Sequence, residues 1–304
     1  MTENIAIITG GDSSERDVSL QTAEAVSQSL RRSQVRHEVF TIPEYKNLFE
    51  LKLEGFTRVF LAFHGGFGEN GMAQAYLEGL NMPYNGPSPQ ASAICMDKLL
   101  TKHIARGLGI NVANYLYLRD IRSASFDEAK QQLGDTCIIK PNSEGCSFGV
   151  SLVHDNPKDF YAAIERALHY KSGILIEEFI AGPELSVCYL FGHVLPIFAL
   201  GFTSDFFSYE AKFLSTKTTA KLITLPRHIN QKLKKDCKSI AEAIDLDYFR
   251  ADIIIHDEKP YLIELNTLPG LTSHSLFPKA CHECGIEFDE LVLLLNNLHP
   301  VCDS

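Results

Sequence analysis

Along residues 249–276, FRADIIIHDEKPYLIELNTLPGLTSHSL, polar side chains interrupt two apolar runs at a spacing of two. A period of two is that of a β-strand with distinct faces. The pattern predicts two strands, a turn at Asp257-Glu258-Lys259-Pro260, and a loop after the second strand. Arg250 and Asp252 share one face of the first strand, and Glu264 and Asn266 one face of the second. Paired as a hairpin, the strands present an arginine, two carboxylates and an amide on one wall. Oxygen donors so arranged suit Mg²⁺, which takes few protein ligands and keeps phosphate oxygens in its shell. A solvated sheet face also alternates polar with apolar, so the wall alone leaves both readings open.

The rest of the chain predicts an α/β beginning. A strand over 4–9 runs into the glycine- and serine-rich loop 10–17, and a helix follows over 18–31. The third glycine of a dinucleotide fingerprint is absent, and no Gly-Lys-Ser/Thr closes a P-loop. Glu15 stands just before the helix, where a negative charge is favoured. Ser13 or Ser14 could cap in its place and leave Glu15 for a ligand amine. Strands are expected at 35–42 and 58–63, the latter ending at His64 in the loop HGGFGENG. Ligands of open α/β sheets bind beyond such carboxyl ends. Glycines on both sides of Glu69 suggest a loop folded close to a ligand or to other backbone. Helices are expected at 72–80, 90–108, 126–133, 157–169, 226–244 and 289–298, and strands near Leu116 and at 137–140 and 173–179. Strands 185–190 and 194–199 form a hairpin about Gly192-His193. Residues 203–222 show neither period and read as a long loop over a site.

Length and composition narrow the class. The 304 residues suffice for two or three domains. A net charge of −10 with no long basic block argues against a nucleic-acid binder. No signal segment or membrane-length apolar run is visible, and the eight cysteines are scattered, which together predict a cytoplasmic protein. Cys137 and Cys188 lie in apolar strands and read as buried thiols. Cys281-His282-Glu283-Cys284 is half a zinc pattern without a matching second pair.

Lys98, Lys140 and Lys212 remain. Lys140 ends a strand, and Pro141 and the small-residue loop 142–150 follow it. Such loops can lay backbone N–H groups against phosphate. With the hairpin wall, this points to a nucleoside triphosphate held between two sheets.

Eight ordered blocks across nearly the whole chain resemble the D-alanine–D-alanine ligase family of the ATP-grasp superfamily. They are residues 10–19, His64-Gly65 with 68–71, 96–98, Lys140-Pro141, 144–150, 209–212, 250–252, and 264–267 through Ser275-Leu276. The resemblance implies an α/β chain, α+β in parts: an N-terminal open α/β domain (1–89) and two α+β domains (90–180 and 181–304) clasping ATP. Lys98 and Lys140 would contact its phosphates, Glu177, Phe179 and Ile180 the adenine, Glu184 the ribose, and Lys212 in the lid the γ-phosphate. Asp252, Glu264 and Asn266 would hold two Mg²⁺, or Mn²⁺ in their place. Glu15, assisted by His64, would bind the first D-alanine, and Ser275 and Leu276 the second substrate. Arg250 and the Gly270 amide would face the developing oxyanion. The implied product is the dipeptide, made through an acyl phosphate for cell-wall (peptidoglycan) synthesis or a dedicated pathway, by a homodimer.

Two positions depart from the family pattern. Cys146-Ser147 stands where the family has Ser-Ser, and Phe213 where its peptide-forming members have tyrosine. In the family these positions and Glu15 form a hydrogen-bonded link from lid to first domain. Cys146 is a weak donor and Phe213 none, so D-lactate or another D-amino acid is the alternative second substrate.

Overall fold

The protein is seen in a computed structural model that describes residues 3–145, 148–201 and 220–298. Its first sheet is parallel and contains β1 (Asn4–Gly10), β2 (Arg36–Ile42) and β3 (Arg58–Ala62) in the order β2-β1-β3. Both faces of β1 are covered. Ile5 and Ile7 share a core with Ala23, Val26 and Leu30 of α1 (Arg16–Arg32), and Ala6 and Ile8 join Leu48 and Leu77 on the other side. A parallel strand covered twice needs the near-continuous apolar run seen at 5–8. Two short helices, α2 (Gly66–Glu69) and α3 (Met72–Gly79), follow β3.

The second sheet is antiparallel. Its strands β4 (Tyr115–Leu118), β5 (Thr136–Pro141), β6 (Ser151–His154) and β7 (Ile174–Glu178) are ordered β4-β7-β5-β6. Helices α6 (Phe126–Leu133) and α7 (Pro157–Leu168) pack their apolar stripes on its Cys137, Ile139 and Ile176.

The third sheet joins β8 (Glu184–Leu190), β9 (His193–Val194), β10 (Ile197–Leu200), β11 (Ala220–Ile223), β12 (Tyr248–His256) and β13 (Lys259–Asn266). The order is β11-β10-β8-β12-β13, with β9 beside β8. Phe249, Ala251 and Ile253 of β12 face a core with Leu233 and Ile240 of α8 (Arg227–Ile244). Helices α4 (Pro89–Met96) and α5 (Lys98–Gly107) put Ala91, Cys95 and Ala105 into that same core. Helices α9 (Leu276–His282) and α10 (Phe288–Leu295) carry Phe277 and Leu291 into the core of β1 and β3. The first and third sheets are thereby bound into one body.

Several expectations are corrected. The helix at 90–108 is two helices, because Asp97 leaves helical geometry at φ −87°, ψ 103° and accepts from the Leu100 amide at 2.9 Å as an N-cap. The hairpin turn is Asp257-Glu258 alone, both at positive φ (46° and 58°), as a two-residue turn of type I′ requires. Lys259 and Pro260 already pair with His256 and Ile255, and Pro260 is tolerated because β13 is an edge. The strand at 194–199 is interrupted at Leu195-Pro196. Its turn is Phe191-Gly192 (φ 42° and 93°) rather than Gly192-His193, since His193 pairs with Leu190. The loop at 203–222 ends early, because Ala220–Ile223 pairs along β10. Leu276 begins α9 rather than closing a loop. The remaining lid residues, with Lys212 and Phe213, and also Cys146 and Ser147, lie outside the described residues.

Candidate functional site: a cleft between two sheets

The hairpin supplies one wall. Arg250 pairs with Asn266 and Asp252 with Glu264 in register, which puts all four side chains together as the alternation predicts. A bulge follows: Ile253 pairs with Leu262, so Ile263 has no opposite residue. The shift lets Leu262 and Leu265 both reach the core, while Ile263 and Glu264 both line the cleft. Arg250 donates to both oxygens of Asp252, from Nε at 2.9 Å and Nη2 at 3.0 Å. Burial and the nearby Glu264 charge push the Asp252 carboxyl up against that pull. Burial also opposes charge on Glu264, but Lys98, Lys140 and Arg250 outweigh it and hold its carboxyl low. The buried Asn266 Nδ2 has no hydrogen-bond partner among the described residues. Two carboxylates and an amide oxygen in register are the hard donors that Mg²⁺ takes, so the trio fits the ion. Among the described residues no three His, Cys, Asp or Glu cluster for a metal; this set includes only two of those types' side chains.

Lysines form the opposite wall. Because Asp97 caps α5, Lys98 is its first residue and enters the cleft, where Nζ lies 3.2 Å from Glu264 and donates to the Glu144 carbonyl at 2.5 Å. Asn142 fastens this helix start, accepting from the Lys98 amide at its carbonyl and from the Leu99 amide at Oδ1. Lys140 Nζ lies 3.0 Å from Glu177, whose other oxygen lies 3.0 Å from Lys102. All three side chains are buried. Burial pushes the Lys102 ammonium down to about 8, with Glu177 opposing. Sequence reasoning missed Lys102 and Asn142. The signal for Lys102 was its place one helical turn after Lys98. Phe179, Ile180 and Glu184 line the cleft, as does Glu177, whose two carboxylate oxygens are already engaged by lysines.

The third side comes from the first sheet. Glu15 is itself the N-cap residue of α1, and the Ser13 hydroxyl accepts from the Glu15 amide at 3.2 Å and donates to the His64 carbonyl at 2.6 Å. Glu15 makes no side-chain cap bond to α1. Its carboxylate lies between Gly65 and Gly145, so close that a Cβ on Gly145 would clash with Oε2 and one on Gly65 would stand 2.9 Å from it. Gly145→Ala is therefore expected to leave the fold intact and move Glu15. Initial rates should show the KM for the first substrate rising by about tenfold or more; an unchanged KM would contradict the placement of Glu15.

His64 is buried, with Nε2 2.9 Å from the Thr22 hydroxyl and a further bond to the Leu268 backbone. A Cβ on Gly270 would meet Ser275 Oγ at 2.7 Å and His64 Cε1 at 3.9 Å, so these three residues converge. Leu276 packs into the neighbouring core. Burial and the Arg250 charge push the His64 imidazole down to about 4, so it is neutral at pH 7. An unfolded chain protonates the ring near the ordinary value of about 6.5. Between these values the unfolded state binds more protons, so stability falls as pH drops from about 6.5 toward 4. The loss amounts to about 3 kcal/mol. Urea midpoints at pH 7 and pH 5 should converge more for His64→Gln than for the parent chain; equal shifts would refute the burial argument.

Known proteins resemble this chain in sequence and fold. The family model described as D-ala D-ala ligase C-terminus matches residues 104–296. A D-alanine–D-alanine ligase of Clostridium botulinum (strain Langeland) is 37% identical over 291 residues, 95% of each chain. The crystal structure of a Bacillus anthracis D-alanine–D-alanine ligase complexed with ATP superposes with a TM-score of 0.84 at 31% identity, covering 97% of each chain. Another structure of the B. anthracis ligase gives 0.86 at 33% identity and the same coverage. With its three sheets and the cleft between the second and third, the chain has the ATP-grasp fold and belongs to the D-alanine–D-alanine ligase family.

Proposed function

We propose that this chain is an ATP-dependent ligase that joins two D-alanines and releases ADP and phosphate. One observation carries the reading. A single run of chain places Arg250, Asp252, Glu264 and Asn266 opposite Lys98 and Lys140, then continues to Gly270 and Ser275 beside His64. Phosphate groups and a carboxylate–amine pair would thus meet at one place. The relatives' names and the ATP-bound neighbour agree with it.

Lys98 and Lys140 hold the phosphates of ATP in the cleft. Asp252, Glu264 and Asn266 would hold magnesium, which when bound offsets charge on the phosphoryl group being transferred. Glu15 receives the ammonium of the first D-alanine and presents its carboxylate to the γ-phosphate. The resulting acyl phosphate is attacked at its carbonyl carbon by the second amine, and phosphate leaves. Arg250 and the Gly270 N–H stabilise the oxygen on which charge develops. Two Arg250 donors bind Asp252, so the guanidinium is already oriented before substrate arrives. Described helices include none long and apolar enough to cross a membrane.

The test is phosphate release from ATP and Mg²⁺ with D-alanine, D-serine and D-lactate as second substrates, with product masses read out. D-alanyl-D-alanine is expected as the main product. A chain that hydrolyses ATP only with D-lactate would replace this reading with ester formation, and one active with none of the three would refute it.

A further inference from the structure

Glu69 is buried at the end of α2, and its carboxylate joins its own loop to a distant stretch of backbone. Oε2 accepts from the Gly65 amide at 2.9 Å. Oε1 accepts from the amides of Thr267 and Leu268, each at 3.1 Å, and lies 3.5 Å from the Thr267 hydroxyl. Gly65 follows His64 directly. Thr267 follows Asn266 directly, and Leu268 stands two residues before Gly270. One side chain thus spans from the His64 turn to the segment between the metal-ligand wall and the oxyanion amide. A second tie runs parallel, because Thr22 Oγ1 touches His64 Nε2 at 2.9 Å and accepts from the Leu271 amide at 3.4 Å.

The chemistry of the tie is specific. Three N–H groups converge on two oxygens, and only an ionised carboxylate offers acceptors on both sides with no donor of its own. A glutamine oxygen can serve one stretch, but its amide nitrogen then faces N–H groups on the other. Holding a charge here is costly, and burial does push the Glu69 carboxyl up. A core position with only a packing role would be filled at less cost by an apolar residue.

We propose that Glu69 is a positioning residue for amide formation, setting the 267–271 segment, and with it the Gly270 amide, against the His64 turn. This rests on the ligase reading above. With the segment displaced, ATP would still bind and the acyl phosphate would still form. The second amine would then be misplaced, and water would hydrolyse the acyl phosphate to D-alanine and phosphate.

The test compares the full chain with Glu69→Gln, scoring kcat, both KM values, the thermal midpoint and phosphate released per dipeptide formed. The expected result is a dipeptide kcat lowered by about 100-fold, a KM for ATP changed less than about twofold, and a phosphate-to-dipeptide ratio rising well above one. Glu69→Asp keeps the charge but reaches only one stretch, and it carries the same test if the glutamine variant does not fold. Parent-like kinetics overturn the proposal. So does a joint fall of kcat, ATP affinity and thermal midpoint with the ratio held at one, and so does loss of the fold in both variants, since each assigns Glu69 to the scaffold. A parent chain that makes no dipeptide fails the ligase reading itself, and is recognised before any variant is compared.

Discussion

Glu264→Gln is expected to lower kcat by about 1,000-fold with little change in fold. Three consequences meet at this carboxylate. It is one of two charged oxygen donors on the hairpin wall, facing Asp252 across the strand pair. It is also the partner of Lys98, 3.2 Å away, so a neutral amide leaves that ammonium without its counter-charge. Finally, its charge raises the Asp252 carboxyl, so its loss lets Asp252 ionise more readily. The first two effects weaken binding of the phosphates and of a divalent ion, and the third shifts the charge balance at Asp252. Phosphate release at saturating ATP and D-alanine measures the change. A rate within tenfold of the parent would mean that the wall is not the metal site.

Glu177→Gln should be the most destabilising substitution in the cleft, costing about 3–5 kcal/mol. The loss does not come from a broken attraction alone. Lys102 and Lys140 both lie against this carboxylate at 3.0 Å and are themselves buried, so removing its charge leaves two ammonium groups facing each other without water. Burial already pushes the Lys102 ammonium down to about 8. Adding Lys102→Met to the glutamine variant should therefore recover a large part of the loss, whereas Lys102→Met alone leaves the Glu177–Lys140 pair balanced. Urea unfolding of the four chains in this cycle isolates the coupling. Additive effects would show that the two lysines do not share the carboxylate.

The hairpin was legible because its two faces meet different surroundings. Phe249, Ala251 and Ile253 go to a helix-covered core, and Arg250 and Asp252 to the opposite face, where Asp252 lines the cleft, so a period of two survives in the sequence. The bulge at Ile263 left no such mark, since an extra isoleucine in an apolar run looks like any other. The break at Asp97 was hidden for a related reason. Apolar residues recur at helical spacing on both sides of it, and only the side-chain bond to the Leu100 amide shows that one helix ends and another starts. That break is what aims Lys98 into the cleft. Pro196 is the converse case, a local signal at which β10 starts afresh.

Among the residues that converge at the candidate site, those sitting in distinctive local strings stood out: Glu15 after glycine and serine, Lys140 before proline, and Gly270 after proline. Those defined by partners far along the chain were not. Glu69 meets Thr267 across 198 positions, and no pattern around Glu69 announces three converging amides. Flanking glycines hinted at close backbone, and that half of the reading is what the structure shows. Lys102 looked like a polar residue on an amphipathic helix, because its counter-charge lies on β7.

The most direct measurement follows an oxygen atom. If the first D-alanine attacks the γ-phosphate through its carboxylate, one carboxylate oxygen must leave with phosphate when the amide forms. With ATP, Mg²⁺ and D-alanine labelled with ¹⁸O in both carboxylate positions, each dipeptide made is expected to release one phosphate carrying one ¹⁸O. Unlabelled phosphate alongside dipeptide would contradict it.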